Sequence, residues 1–305
     1  MTIGDHQSSF FGKPIVDYQK GEPVEALDKQ VYRLSLDYDD ETPMAQLLDE
    51  FLNSADKAQL DALVIGMWEE AYENSAQEAL DLLVTRKDEL PALKALFIGD
   101  ITYEECEISW IHQASYSKLL AAFPNLEALS IRGSTELSIE AFSHARLREL
   151  RIECGGLPAE ILRNLAASSL PALQRLELWL GTEEYGFDGS LDDVIACLAA
   201  IKPERLDYLG LRDAQIADEV AIWLAGQAWL GQIPNIDLSL GTLGDAGAEA
   251  LCNSPYLQGV KHLDLSHHYI SESWQKKLAS LPLTVVLDDP QEEEDEDDRY
   301  VAVGE

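Results

Sequence analysis

Basic residues are scarce in this sequence. Its 305 residues include 22 Lys plus Arg against 56 Asp plus Glu, which gives a formal net charge of −34 at pH 7. A surface of this charge repels nucleic-acid phosphates and anionic lipid headgroups, so it argues against nucleic acid and membrane as partners. A positively charged protein, a basic peptide or a cationic metabolite is the kind of partner that the charge favours.

Cysteine is also scarce, and long apolar runs are missing. The four cysteines, Cys106, Cys154, Cys197 and Cys252, lie far apart in the chain and form no Cys-x-x-Cys pair. Cys154, Cys197 and Cys252 lie on repeat elements and are predicted to be small core residues. This spacing argues against a disulfide framework or a zinc ribbon and favours a reducing compartment, with the cytoplasm as the expected location. The N-terminus lacks the apolar region of a signal peptide, and no segment approaches the length of a membrane span.

The common catalytic signatures are missing as well. The sequence contains no Gly-x-Gly-x-x-Gly, Walker loop, His-Glu-x-x-His, Gly-x-Ser-x-Gly or EF-hand pattern. His262, His267 and His268 are the best metal candidates, but no further ligand lies at a suitable spacing, and we interpret them as solvated turn residues. The sequence therefore predicts a protein that is not an enzyme and holds neither a cofactor nor a metal.

The sequence does have an internal repeat. A strand-like unit of the form Leu-x-x-Leu-x-Leu, with Ile or Val as substitutes, recurs along most of the chain. The copies are Val31–Leu36, Leu60–Ile65, Leu93–Ile98, Leu126–Ile131, Leu147–Ile152, Leu173–Leu178, Leu206–Leu211, Ile233–Leu238 and Val260–Leu265. A weaker tenth copy, Leu283–Leu287, predicts an edge strand.

Amphipathic segments with helical spacing lie between these units. They are Met44–Ala55, Ala76–Val84, Pro158–Ala167, Leu191–Ile201, Asp218–Trp229 and Gly244–Cys252. Pro158 suits a first helical turn, and Asp218 and Asp245 are expected at N-caps. One strand and one helix cannot enclose a core, so neighbouring units must stack and bury their leucines together.

These residues resemble the leucine-rich-repeat family. Leu243–Leu251 resembles the helical part of the ribonuclease-inhibitor subtype, and His262–Ser266 resembles its strand. The resemblance covers about residues 31–288. It implies an α/β leucine-rich-repeat solenoid (horseshoe) of about nine to ten repeats, with a parallel sheet on the concave face and helices on the convex face. The family usually places Asn or Cys three positions after the last strand Leu. This chain has other residues there, so irregular curvature is expected.

More loosely, the chain resembles uncharacterised bacterial cytosolic leucine-rich-repeat proteins encoded beside ATP-grasp-like and radical-SAM-like proteins. We predict three regions: an N-terminal capping segment (1–30), the solenoid (31–288), and an acidic disordered tail with a short C-terminal peptide (289–305). Three alternatives stay open for that peptide. It can fold back as an extra strand, bind a partner, or be chemically modified.

Side chains between the repeat leucines are expected to face the concave side, because they alternate along a strand. Five arginines and two aromatic residues fall at these positions, a composition typical of interaction hot spots. The predicted partner-binding residues on this face are Arg132, Arg151, Glu153, Glu177, Trp179, Tyr208 and Arg212. Neighbouring open positions hold Arg33, Ser130, Arg175 and Asp237. The alternative is a ladder of Arg–Glu pairs that satisfy one another, such as Arg151 with Glu177.

Three loops that follow strands mix paired acids with aromatic residues. We name residues 68–73, 103–110 and 183–188 the rim loops, because equivalent loops of a solenoid share one edge. Their predicted partner-binding residues are Trp68, Glu69, Tyr103, Glu104, Glu105, Trp110, Glu183 and Tyr185. Acids beside aromatic faces suit a cationic peptide. The alternative is that these loops are solvated, with their aromatic side chains packed onto the solenoid.

Two functions fit this sequence. The first is a non-enzymatic scaffold or adaptor that binds a protein or a basic peptide through the concave face and the acidic-aromatic rim. The second is a carrier or substrate protein that companion enzymes recognise or modify at its C-terminal tail. Gly304-Glu305 after an acidic run resembles the end of the amino-carrier proteins, whose terminal carboxylate an ATP-grasp enzyme loads. This chain lacks their zinc-binding cysteines and the Trp before Gly. The sequence does not indicate an oligomeric state.

Overall fold

The computed structural model describes residues 3–37, 40, 42–292 and 299–304. They fall into two compact units. The N-terminal unit contains residues 3–153 and 169–172, and the C-terminal unit contains residues 154–168 and 173–304, apart from the gaps just given. The repeat pattern does not reveal this division, because strand-like copies continue through it at the same kind of spacing.

The N-terminal unit begins with a hairpin. Strands β1 (Ser9–Phe10) and β2 (Lys13–Asp17) are antiparallel, and β2 then pairs in parallel with β3 (Val31–Leu34). The following parallel strands, in chain order, are β4 (Ala62–Ile65), β5 (Ala95–Ile98), β6 (Ala128–Arg132) and β7 (Glu149–Glu153). The helices of this unit are α1 (Met44–Ser54), α2 (Gln77–Thr85) and α3 (Ser117–Ala122).

The C-terminal unit repeats the same plan. Its parallel strands are β8 (Arg175–Gly181), β9 (Tyr208–Ala214), β10 (Asn235–Asp237), β11 (His262–Asp264) and β12 (Thr284–Val286). Its helices are α4 (Ala159–Ala166), α5 (Leu191–Ile201), α6 (Ala217–Ala225), α7 (Asp245–Cys252) and α8 (Glu272–Leu278). No helix in the described ranges is long and apolar enough to cross a membrane.

Short 3-10 helices complete the described elements. They are Lys87–Glu89, Ile108–Trp110, Glu183–Tyr185, Pro203–Arg205, Leu230–Gln232 and Leu257–Gly259. Two of them, Ile108–Trp110 and Glu183–Tyr185, belong to the rim loops, so these loops have a defined backbone.

The repeat leucines are in register from strand to strand. In the C-terminal unit Leu176, Leu209, Ile236 and Leu263 are Cα partners in adjacent strands, and each is at most 1% exposed. In the N-terminal unit Leu63, Leu96, Leu129 and Leu150 form the equivalent row. Burial of one such side chain contributes about 1.5–3 kcal/mol. The predicted α/β leucine-rich-repeat fold is thereby confirmed.

Helix starts differ from the sequence prediction at three residues. Pro158, expected in the first turn, is the N-cap of α4. Asp218 and Asp245 are not N-caps; both lie in the first helical turn. Each carboxylate instead accepts backbone N–H groups of the next repeat: Asp218 from Gly244 (2.9 Å) and Gly247 (2.8 Å), and Asp245 from Ser271 (2.7 Å). Capping between repeats satisfies the free amides of a helix start and joins neighbouring repeats at the same time.

The N-terminal hairpin covers an apolar patch on the open face of its unit. The open face is the side of the parallel sheet that carries the residues between the repeat leucines. Phe10 packs among the alternate residues of β3 to β6, in a buried cluster of Val31, Ala62, Val64, Ala95, Phe97 and Ala128. The rings of Phe10 and Phe97 lie 6.0 Å apart. The first repeats therefore do not present this part of the open face to a partner.

Candidate functional site

The open face of the N-terminal unit carries a buried ion-pair network around Arg132. Its Nε donates to Glu153 Oε2 at 2.7 Å and its Nη1 donates to the carbonyl of Ile101 at 2.7 Å. Asp100 lies 3.4 Å from the same Nη1. Arg132 is 1% exposed, Glu153 2% and Asp100 0%. Because all three charges are withdrawn from water, each depends on its partners.

The network continues from Asp100 to Arg33. Arg33 donates to Asp100 at 2.9 Å and to Asp17 on the N-terminal hairpin. Burial opposes the charged form of Arg33, but the hydrogen bonds to Asp100 and Asp17 outweigh it and raise its pKa. Arg151, which is half-buried, pairs with Glu153 at 3.2 Å and lies over the Phe97 ring. The hairpin, the strands and their charges thus form one connected structure within this unit.

His6 and Glu105 form a second charged contact of the N-terminal unit. Their side chains lie 3.4 Å apart, and the hydrogen bond to Glu105 outweighs burial and raises the pKa of His6. Burial opposes ionisation of Glu105, but the hydrogen bonds from His6 and Thr102 lower its pKa. The two side chains line a polar cavity of about 350 Å³ beside Arg33.

The C-terminal unit has its own network, around Arg212. Arg212 Nη1 donates to Glu177 at 3.0 Å, and its Nε lies 3.3 Å from Asp237. The Tyr208 hydroxyl donates to Asp237 at 2.8 Å, and Trp179 Nε1 donates to Glu177 at 2.9 Å. The guanidinium of Arg212 also lies over the Trp179 ring at 5.1 Å.

Burial and the two acids of this network together shift the pKa values of Arg212 and Tyr208. Burial opposes the charge of Arg212, but Asp237 and Glu177 outweigh it and raise its pKa. Burial, together with the same two carboxylates, raises the pKa of Tyr208. Tyr208 and Arg212 therefore keep their protons at any physiological pH.

Accessibility on this face differs from the sequence expectation. Arg132, Glu153, Glu177 and Trp179 are between 1% and 8% exposed, because neighbouring strands supply partners for them. We expected these side chains to contact a partner, and their burial corrects that assignment: they hold other side chains in position. Arg151, Tyr208 and Arg212 are half-buried and remain reachable at the edges of the networks.

The rim loops also divide into buried and exposed parts. Trp68 is 1% exposed, and its Nε1 donates to the carbonyl of Asn74 at 2.7 Å, so it packs onto the unit instead of facing a partner. Glu69 accepts the backbone N–H of Met44 at 2.8 Å and thereby serves the start of α1. The loop 68–73 is thus used internally, as the alternative interpretation supposed.

The loop 103–110 is exposed. Tyr103 is 43% exposed and Trp110 58%, and Glu104 between them is also exposed. Glu105 is half-buried and accepts the backbone N–H of Thr102 at 2.7 Å, which fixes the turn. In the C-terminal unit Glu183 lines a shallow acidic cavity of about 550 Å³ with Asp188 and Glu219. Tyr185 lies against the C-terminal peptide.

His267 and His268 are not solvated turn residues, because the chain beyond β12 covers them. They are 2% and 0% exposed. Nε2 of His267 lies 3.3 Å from the carbonyl oxygen of Tyr300, and Nδ1 lies 3.1 Å from Asp289. His268 receives the backbone N–H of Ile270 at 3.1 Å. These histidines hold the end of the chain in place.

The C-terminal peptide, residues 299–304, is docked on the C-terminal unit. Val301, Ala302 and Val303 are between 3% and 7% exposed. The peptide folds back, as the first of our three alternatives supposed, but it is not assigned as a strand. The acidic run before it, residues 293–298, and Glu305 lie outside the described residues, so the predictions made for them are untouched.

Sequence reasoning missed several members of these clusters. Asp100, Asp17 and His6 were not recognised, nor was Asp213, which is 0% exposed beneath the C-terminal peptide. An acid directly after an apolar strand, as in Phe97–Asp100, is a signal that could have found Asp100. His6 and Asp17 carry no such signal, because only the packing of the hairpin brings them to the sheet.

The chain is similar to a protein from Bacteroides fragilis whose crystal structure is known. The TM-score is 0.80 and the sequence identity 30%, over 88% of this chain and 76% of that chain. An internalin from Listeria monocytogenes also matches, with a TM-score of 0.32 and 13% identity over 92% of this chain and 87% of that chain. A TM-score of 0.32 does not show a shared fold. No protein-family model matches the chain, and neither does any curated protein.

Proposed function

We propose that this chain, which belongs to the same family as the Bacteroides fragilis protein, is a non-enzymatic scaffold that binds a protein or a basic peptide. Repeat folds of this kind offer rows of equivalent side chains to an extended partner. Fold alone does not establish function, so the proposal depends on the chemistry of the exposed surface.

The exposed aromatic residues of the loop 103–110 carry the proposal. Large aromatic side chains are usually packed, yet Trp110 is 58% exposed and Tyr103 43% exposed. Glu104 in the same loop is also exposed, and its carboxylate accepts the Tyr103 hydroxyl at 3.4 Å. An indole face and a carboxylate together attract Lys and Arg side chains, through the ring quadrupole and through charge. The net charge of −34 draws a basic partner towards the whole molecule and raises its association rate.

The buried network around Arg132 supports this role indirectly. Arg33, Arg132 and Arg151 are matched by Asp17, Asp100 and Glu153. The open face of the N-terminal unit therefore holds its charges in balanced pairs, and the excess negative charge lies elsewhere. The network also contacts the chain just before the loop 103–110, because Arg132 donates to the carbonyl of Ile101 at 2.7 Å.

The experiment is an affinity pull-down from the native organism at moderate salt, with wild-type and variant chains. Trp110→Ala is expected to lower recovery of the partner by at least about 30-fold, because a hot-spot aromatic contributes about 2 kcal/mol or more. Glu104→Lys is expected to weaken the same binding and to make it less dependent on salt.

Matched controls separate the site from general charge and apolar effects. Tyr256→Ala removes another exposed aromatic residue, 38% exposed in the C-terminal unit. Glu78→Lys makes the same charge change on the exposed side of α2. Both controls are expected to recover the partner as wild type does. If Trp110→Ala and Tyr256→Ala behave alike, the loop 103–110 is not the binding site.

The alternative function is a carrier protein that is modified at its C-terminal tail. The side chains at 301–303 are buried in the C-terminal unit, whereas Glu305, whose carboxylate would be loaded, lies outside the described residues. Intact-mass measurement of protein from the native organism distinguishes the two, because a carrier shows an adduct on its last residues.

A further inference from the structure

The C-terminal peptide crosses a series of equivalent strand ends. Asp213, Leu240 and His267 are spaced 27 residues apart and all have left-handed backbone conformations, with φ of 53°, 71° and 58°. The peptide meets them in reverse order. Val303 donates its backbone N–H to Asp213 Oδ1 at 2.9 Å, Ala302 donates to the carbonyl of Leu240 at 2.7 Å, and the Tyr300 carbonyl oxygen lies 3.3 Å from His267 Nε2. Three consecutive repeats thus supply one hydrogen-bonding partner each to an extended peptide.

The first residue of the peptide is held by charge and by an aromatic ring. Arg299 Nη1 donates to Asp218 Oδ2 at 3.0 Å, and its guanidinium lies 5.7 Å from the centre of the Tyr269 ring. Gly244 lies directly against this guanidinium, and a side chain there would collide with it. Tyr269 also donates its hydroxyl to the Tyr300 carbonyl at 3.1 Å and accepts the Tyr300 N–H at 3.0 Å.

The last described residue lies against the Tyr185 ring. A Cβ on Gly304 would lie 2.5 Å from the Tyr185 ring, and a Cβ on Gly155 would lie 2.5 Å from the Gly304 carbonyl oxygen. Both distances are far below any normal carbon contact. We name the surface formed by Asp213, Leu240, His267, Tyr269, Asp218, Gly155 and Tyr185 the tail groove. It selects a basic residue at one end, small apolar residues in the middle and glycine at the other end.

One polar atom of the tail groove is left unsatisfied by its occupant. Asp213 is 0% exposed, and its Oδ2 has no hydrogen-bond partner among the described residues, although its Oδ1 accepts from Val303. Buried carboxyl oxygens are normally paired, since leaving one unpaired is costly. Because Oδ1 already accepts the N–H of Val303, a Ser or Thr hydroxyl on the residue at that position is the group that we expect to satisfy Oδ2.

We propose that the tail groove is a recognition site for an extended peptide of another protein, and that residues 299–304 occupy it in the free chain. The ligand is a segment with the pattern Arg, aromatic, small apolar, Ala, Ser or Thr, Gly. It differs from the chain's own peptide in the hydroxyl that satisfies Asp213. The site lies in the C-terminal unit and goes beyond the function proposed for Trp110, so either can fail without the other.

The test uses the full chain with its own peptide displaced. The double variant Val301→Asp/Val303→Asp replaces two buried apolar side chains with charges and is expected to release the peptide. The probe is a fluorescein-labelled, C-terminally amidated peptide of residues 299–304, and binding is measured by fluorescence polarisation. We expect the released variant to bind the probe and wild type to bind it at least about tenfold more weakly, because the tethered peptide competes at millimolar effective concentration.

A matched pair of probes tests the role of Asp213. The Val303→Thr peptide is expected to bind the released variant about fivefold more tightly than the parent peptide, as one new hydrogen bond to a buried group would do. The Val301→Thr peptide makes the same chemical change away from Asp213 and is expected to bind no more tightly than the parent.

Three results would overturn the proposal. One is a folded released variant that binds no probe at 1 mM, a concentration of order the tethered peptide's own. Another is equal affinity for the two Thr peptides. If the released variant does not fold, Arg299→Glu replaces it, since it sets two negative charges against each other at Asp218 and keeps all buried apolar contacts. That variant is expected to bind the probe more tightly than wild type does, because its tethered peptide has lost the contact with Asp218 and competes less well; an affinity equal to that of wild type refutes the site. Pull-down through Trp110 is expected to be unchanged in every case.

Discussion

Removal of Arg132 is expected to be among the most damaging single changes in this chain. Arg132→Met keeps most of the apolar volume but leaves Glu153 and Asp100 buried without the guanidinium between them. Breaking a buried ion pair by removing one partner costs about 3–5 kcal/mol when the remaining charge has no other partner. Glu153 keeps Arg151 and Asp100 keeps Arg33, so we expect a loss near the lower end of that range. Total stabilities are about 5–15 kcal/mol, so this loss is a large share of the free energy of unfolding.

The assay is urea unfolding at pH 7, followed by far-UV circular dichroism. With a slope of about 2 kcal/mol/M, the expected loss shifts the unfolding midpoint of the N-terminal unit by about 1.5 M or more. Arg163→Met is the matched control. Arg163 pairs with Asp193 at 2.9 Å, but its side chain is 64% exposed, and we expect its removal to leave the midpoint unchanged.

A double variant tests the reasoning further. Arg132→Met/Glu153→Gln also removes the charge of the buried carboxylate that Arg132 contacts most closely, and it is expected to be more stable than Arg132→Met alone by about 1–2 kcal/mol. If Arg132→Met costs less than about 1 kcal/mol, or if the two changes simply add, the buried network does not stabilise the N-terminal unit in the way we describe.

Three further predictions follow from the titration of buried groups. Burial raises the pKa of Asp213 above 3.8, so folding favours the protonated form and the stability falls as the pH rises through the raised pKa. Asp213→Asn is therefore expected to raise the melting temperature at pH 7 and not at pH 3.5. A lower melting temperature at pH 7 would refute this. The hydrogen bond to Glu105 raises the pKa of His6. His6 therefore stabilises the folded state at pH values below its ordinary pKa of 6.5, and this stability is lost as the pH rises through the raised pKa. His6→Gln is expected to remove that loss from the pH profile of thermal unfolding. Burial raises the pKa of Cys106 to about 11 and that of Cys197 to about 12. Neither thiol is therefore expected to react with a disulfide reagent at pH 8 unless urea is added. Rapid labelling of the native protein would contradict this.

The regular elements could be predicted because their signals are local. Each predicted strand copy contains a strand, and α5 begins and ends at the predicted residues, Leu191–Ile201. That helix has its own capping box from Ser190 and Asp193. Starts such as that of α7 were less well predicted, because the cap comes from Asp218 in the preceding repeat. Spacing within one segment cannot show a contact between segments.

The candidate sites were predicted less well, for a related reason. Alternation along a strand indicates which side chains share a face but not what covers that face. Trp68 and Trp110 have similar sequence surroundings, each in an acidic loop after a strand, yet one is 1% exposed and the other 58%. The difference depends on where each indole packs. The Trp68 indole packs onto its unit and donates its N–H to the carbonyl of Asn74.

By itself, the sequence determined the repeat, the fold class, the positions of the repeat strands from β3 onward and the excess of negative charge. These follow from the period of apolar residues and from composition, which need no knowledge of long-range contacts. The tertiary structure decided which charges are paired, which rim aromatics are exposed and where residues 299–304 lie. These depend on residues far apart in the chain, as Arg299 and Asp218 are, since burial and ion pairing are properties of the packed molecule.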